Sequence, residues 1–195
     1  MIIFLLVLSF AFADSYKVDV DSSTIQYIGR KVTGEHDGNL KILYGNVRRY
    51  LDTEQKEVIR GNIVIDMTTI TNNDIGNKEY QKYFVDHLNG PDFFDVAHFS
   101  KSQLKILDNI ILSNDSSDNM IITGEMTIKG ITQKVKFPAK VKFLDDSATA
   151  VGTIDIDRTL FDIRYKSKSF FPEMGDYFIY DDFTLNFTIK AKKNN

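Results

Sequence analysis

The sequence contains no cysteine. Disulfides, thiol nucleophiles and cysteine-ligated metals are thereby excluded, so the chain must hold together by its core alone. Tryptophan is absent too, although 15 Phe and 9 Tyr supply material for an aromatic-rich interior. Excess charge is scarce: a formal net charge of −3 lacks the basic footprint of a nucleic-acid binder, and no nucleic-acid partner is expected. Proline is confined to three isolated positions, with no Pro-rich linker, domain boundary or internal repeat.

Long apolar runs are equally scarce. The one that stands out, Ile2 to Phe12, is broken only by Ser9 and ends in Ala11-Phe12-Ala13 before polarity switches at Asp14-Ser15. It is too short for a bilayer span, which takes about 20 apolar residues. A short apolar stretch closed by small-x-small reads as a cleavable secretory signal over residues 1–13. The expectation is an exported protein, secreted or periplasmic, whose mature chain is one domain over residues 14–195 and not an integral membrane protein.

What is plentiful is period-two alternation, the mark of a strand with one apolar face. Phe183, Leu185, Phe187, Ile189 and Ala191 face one way, and Thr184, Asn186, Thr188, Lys190 and Lys192 the other. Val135, Phe137, Ala139, Val141 and Phe143 alternate likewise with four lysines and Pro138. Further inner rows run through Ile59, Ile63, Ile65 and Met67; Ile122, Met126 and Ile128; Ala150, Ile154 and Ile156; Leu104 and Ile106; and Leu40, Ile42 and Tyr44. Tyr16–Val20 and Thr24–Arg30 read as an opening hairpin turning at Asp21-Ser22-Ser23. Between Asn77 and Leu88 the spacing of Tyr80, Tyr83, Phe84 and Leu88 is helical instead, and Gly90-Pro91 stops it.

About eight strands with one apolar face each must close on themselves or stack. The fold expected is all-β, an antiparallel barrel with one short helix. Glycines on inner rows, at Gly61, Gly124 and Gly152, favour closure; they either permit sharp bends or leave room beside a ligand.

Signatures of chemistry are few. His36, His87 and His98 lie on separate segments without the spacing of a metal site. No nucleophile elbow, P-loop or dinucleotide fingerprint occurs. Asp155 and Asp157 alternate on an outer face, the position of solvated charge. No catalytic residue, metal or cofactor is assigned. Arg158 and Arg164, flanking an expected rim loop, are candidates to grip an anionic head group, or to pair with neighbouring aspartates as structural glue. Asn114 and Asn186 head Asn-x-Ser/Thr glycosylation sequons.

Several segments in order resemble the YceI-like family. They are Lys31-Val32-Thr33-Gly34-Glu35-His36; His87-Leu88 followed by Asp92-Phe93-Phe94-Asp95-Val96; Ile122-Thr123-Gly124-Glu125-Met126-Thr127-Ile128-Lys129-Gly130-Ile131-Thr132; Lys168-Ser169-Phe170-Phe171; and Gly175-Asp176 with Ile179-Tyr180-Asp181-Asp182-Phe183. The resemblance runs from about Tyr16 to Ala191. Departures fall at Ala97-His98-Phe99-Ser100, at Pro172-Glu173-Met174, at Tyr177 and in the long stretch Asn109 to Asn119. Such a resemblance implies an extended antiparallel β-barrel of lipocalin-like shape, exported, that holds a long isoprenoid or similar lipid and catalyses nothing.

Ligand contacts are accordingly expected from the inner rows: Ile122, Met126, Phe137, Val141, Phe143, Ile154, Ile156, Phe183, Leu185 and Phe187, with Phe93 and Phe94 plugging or lining one barrel end. Two other readings stay open from the sequence. One is a barrel filled by its own side chains that serves a protein partner. The other is an enzyme acting on a hydrophobic substrate.

Overall fold

A computed structural model describes residues 13–112 and 118–194. Residues 1–12 of the expected signal segment and the Asn114 sequon lie outside them.

Nine strands form one sheet: β1 (Asp14–Val18), β2 (Thr24–Lys31), β3 (Gly34–Leu51), β4 (Glu57–Asp66), β5 (Lys101–Ile111), β6 (Met120–Ile128), β7 (Ile131–Phe143), β8 (Ser147–Asp157) and β9 (Ile179–Lys193). Neighbours in sequence pair antiparallel from β2 through β9, and β2 returns to pair with β9, so the wall closes as an eight-strand barrel. Closure removes the unpaired edges that an open sheet would present.

The ninth strand is not an extra stave. β1 and β2 both run antiparallel to β3 and to β9, so they point the same way and share one place in the wall. The expected opening hairpin is therefore corrected. Asp19–Ser23 bulges out between two collinear pieces and is stapled to β9, where the Asp19 N–H donates to the Lys190 carbonyl (2.8 Å) and the Lys190 N–H to Ser23 Oγ (3.0 Å). Asp-Ser-Ser suits a chain reversal or a bulge equally.

Alternation delivers the inner face as expected on β6, where Met120, Ile122, Gly124, Met126 and Ile128 are all buried and the residues between them less so. One inner row breaks. Pairing of β3 with β4 slips between Ile42 and Tyr44, and this bulge turns Tyr44 outward to 46% exposure. A bulge reverses the alternation beyond it, and Gly45 and Val47 continue the inner face.

The inner glycines Gly61, Gly124 and Gly152 all mark close approaches. A Cβ at Gly124 would lie 2.6 Å from the Lys105 carbonyl oxygen, beside the irregularity in β5 pairing after Ile106. At Gly152 it would lie 2.6 Å from the Phe187 ring, so this glycine is what admits that ring to the interior.

The helix, α1 (Lys78–Asn89), begins where Asn77 Oδ1 accepts from the N–H groups of Glu79 and Tyr80 and ends at Gly90. Phe84 and Leu88 turn toward the barrel, but Tyr80 and Tyr83 stand 69% and 74% exposed, so the apolar face is narrower than its spacing suggests. Residues after α1 fold back over the same end: the Phe94 N–H donates to the Leu88 carbonyl and the Val96 N–H to that of Asn89. Phe93 and Val96 are buried there. This lid and the stretch from Arg158 to Phe178, with its two 3-10 turns, cover one end of the barrel.

Candidate functional site

Inside the wall are two chambers set end to end. The lid-end chamber is lined by Leu40, Met67 and Ile128 on the barrel side and by Phe84, Leu88, Phe93 and Phe94 of the lid, and has a cavity volume of about 110 Å³. The base-end chamber, of about 100 Å³, is lined by residues such as Ile59, Ile106, Ile122, Phe137, Val141 and Phe187. Ile65, Met126 and Leu185 line both and form the waist between them. Beneath the base-end chamber, Tyr16 packs against Phe143 with ring centroids 5.4 Å apart, and the Arg49 guanidinium lies 4.7 Å from the Phe143 ring centroid.

The lid is seated by aromatic contacts. The Phe93 ring lies 5.0 Å from that of His87 and 5.5 Å from that of Tyr165, and His87 meets Tyr165 at 4.6 Å. His36, on β3, packs against Phe84 at 4.8 Å, and its Nδ1 lies 2.7 Å from an Asp74 carboxylate oxygen. Burial would raise the Asp74 pKa, but hydrogen bonds from His36, the Asp37 N–H and Asn72 outweigh it and hold the carboxyl below its ordinary value.

Polar groups around the lid-end chamber are mostly committed to structure. The Tyr27 hydroxyl donates to the Thr71 carbonyl (2.7 Å); burial, with the Asp74 and Asp37 carboxylates, pushes its pKa up and keeps it a neutral donor. Arg158 donates to the carbonyls of Tyr180 (3.0 Å), Ile163 (2.8 Å) and Ile179 (3.0 Å), with the Asp181 carboxylate 3.5 Å away. Its guanidinium is 4% exposed in side-chain terms, and burial lowers its pKa against the opposing pull of Asp181 and Asp157. Of the two roles open to Arg158, the contacts present are structural: its donors clamp the 158–163 turn to the start of β9. Arg164 lies on the outside, 2.9 Å from Asp162 and stacked over Phe170.

Of the expected lining, Ile122, Phe137, Val141, Phe143, Ile154 and Phe187 border the base-end chamber; Phe93, Phe94 and Phe183 border the lid-end chamber; and Met126 and Leu185 border both. Ile156 is buried but borders neither. Asp155 and Asp157 hold local structure, accepting from the Thr184 hydroxyl and the Thr159 N–H. Asn186 sits mid-strand, its Oδ1 accepting from the Thr153 hydroxyl (2.9 Å), and not in the loop a glycan acceptor usually occupies. Among the described residues no group of three or more His, Asp or Glu could hold a metal ion, and no helix is long and apolar enough to cross a membrane.

Sequence reasoning missed Ser102. It occupies the inward position two residues before Leu104, is 4% exposed, and borders the lid-end chamber. A serine in register with Leu104 and Ile106 was the available signal.

A family model described as a YceI-like domain matches residues 16–191. No curated protein matches the chain. Among solved structures, BcnA of Burkholderia cenocepacia superposes with a TM-score of 0.66 at 20% identity over 89% of this chain and 99% of its own. A polyisoprenoid binding domain from Saccharophagus degradans, implicated in plant cell wall breakdown, gives 0.62 at 10% identity over 92% and 98%. The YceI protein of Campylobacter jejuni gives 0.51 at 15% identity over 70% and 73%.

Proposed function

This chain belongs to the YceI-like domain family, and we propose that it is an exported, non-catalytic carrier or sensor that holds a long isoprenoid or similar lipid inside its barrel. The observation that carries this reading is the pair of almost wholly apolar chambers that share Ile65, Met126 and Leu185 in their walls. A hydrocarbon chain asks only for contiguous apolar wall, and burial of apolar surface at roughly 25 cal/mol per Å² supplies the affinity. The Saccharophagus domain of the same architecture is described as polyisoprenoid binding, which supports the ligand class. Catalysis is not part of the reading. Tyr27, His36 and Arg158 at the chamber make structural contacts, and among the described residues Ser102 there has no base in hydrogen-bond reach.

Export follows from the Ile2–Phe12 run and Ala11-Phe12-Ala13, which make Asp14 the expected first residue of the mature chain. Native mass spectrometry of protein exported from an isoprenoid-synthesising host tests both halves. The expected result is a chain beginning near Asp14 that carries one lipid, released by organic solvent. A protein that stays empty and takes up no added isoprenoid overturns the carrier reading, and an exported form that retains Met1 overturns the signal.

A further inference from the structure

Along β5 the inner row reads Ser102, Leu104, Ile106. Leu104 and Ile106 border the base-end chamber, whereas Ser102, across from the waist residue Ile65, borders the lid-end chamber. The Ser102 hydroxyl has no hydrogen-bond partner among the described residues, and the residue is 4% exposed. Leaving a buried hydroxyl unpaired costs stability, and an alanine of nearly the same volume would avoid that cost. A hydroxyl kept at an inward position has its use when something in the chamber pairs with it. The residues around it, Ile65, Met67, Met126 and Ile128, supply no such group.

Resting on the carrier reading above, we propose that Ser102 donates a hydrogen bond to an oxygen function of the bound lipid and thereby fixes the direction in which the lipid lies. The apolar tail passes the waist into the base-end chamber, whose lining is apolar except for Thr149. The oxygen-bearing end stays on the lid side, beside Ser102. Ser102 is thus a specificity residue: it separates oxygenated isoprenoids from hydrocarbons of the same length and shape, which an apolar wall alone cannot do.

The probes are geranylgeranylacetone, a linear isoprenoid ketone, and the matched hydrocarbon lacking the carbonyl. Each is titrated into the wild-type protein and into Ser102→Ala, a substitution small enough to leave the fold in place. The wild-type protein is expected to bind the ketone about five- to tenfold more tightly than Ser102→Ala does, the range of one net hydrogen bond, with hydrocarbon affinity unchanged or improved. The infrared carbonyl band of the bound ketone is expected at lower frequency in the wild type than in the variant. Equal ketone affinity and an unshifted band would overturn the Ser102 contact while leaving the carrier reading intact. Failure of the wild type to bind either probe would overturn both.

Discussion

The Phe94 ring stands edge-on to that of Phe183, at 85° with centroids 6.3 Å apart, and joins the lid to a wall strand over the chamber. Its neighbour Phe93 is held differently, buried between His87 and Tyr165. The two adjacent phenylalanines therefore divide what the sequence presents as one plug: Phe93 anchors the lid, and Phe94 closes the space beneath it.

Phe93→Ala is accordingly expected to cost about 3–5 kcal/mol of stability, the usual loss for a buried aromatic ring. Phe94→Ala, at a half-buried site, is expected to cost clearly less while speeding release of a bound fluorescent lipid. Urea denaturation and stopped-flow release measured on both variants check the division. Equal destabilisation by the two, with no change in release, would show that both merely anchor the helix.

Arg158→Met is expected to be more damaging than any surface arginine replacement. It strips the donors from the carbonyls of Ile163, Ile179 and Tyr180 and leaves Asp181 without its cation. Removing one partner of a buried charge network costs about 3–5 kcal/mol. Arg164→Met, at an exposed pair with Asp162, is expected to shift the denaturation midpoint by less than about 1 kcal/mol. If Arg158 were instead a head-group contact, its loss would weaken lipid binding with stability nearly intact.

The barrel was legible because alternation is a local signal: a buried face repeats every second residue whatever its partner strand. The helix was legible for the same reason, from its spacing and its Gly90-Pro91 stop. Pairing between distant segments was not. Nothing local says that Asp19–Ser23 bulges rather than turns, since the decision belongs to β3 and β9, which both pieces pair. Nor does sequence show that the β3–β4 ladder slips at Ile42, which turns Tyr44 out. Arg158 could be numbered among rim residues but not seen to fold inward, because its acceptors are backbone carbonyls, which carry no side-chain identity. The adjacent Phe93 and Phe94 after the Gly90-Pro91 stop were legible as a plug, but their ring contacts with Tyr165 and Phe183 were not, because those partners lie on distant segments.

Acid should loosen the lid through Asp74. Its folded-state pKa lies below the ordinary 3.8, so the carboxylate contributes stability that is fully present above that value and lost as pH falls through the folded one. Asp74 ties the approach to α1 to His36 and the Asp37 N–H. Asp74→Asn is expected to lower stability by on the order of 1 kcal/mol at pH 6, as befits a partly exposed charge-assisted contact. The difference between wild type and variant should shrink as pH falls below the ordinary 3.8 and through the lower folded-state value. Denaturation midpoints across that window check it; a difference that stays constant with pH would show that the carboxylate's charge is irrelevant.

Leu185 is where an open barrel and a filled one part company. It lies on β9 at the waist, bordering both chambers, so a larger side chain there projects into the space a lipid chain would have to cross. In a solid core, added volume has nowhere to go, and overpacking typically costs about 1–3 kcal/mol. In a hollow barrel the indole replaces ligand instead of displacing wall. Leu185→Trp is therefore expected to keep its melting temperature within a few degrees of the empty wild-type protein while losing at least about tenfold in affinity for a long isoprenoid. Ile154→Trp, which enters only the base-end chamber, is expected to block long chains but still admit short ones through the lid end. Calorimetry on the empty proteins, with titration of a chain-length series, separates the cases. Early unfolding of both variants, with no lipid bound by the wild type, would mean a filled barrel and the end of the carrier reading.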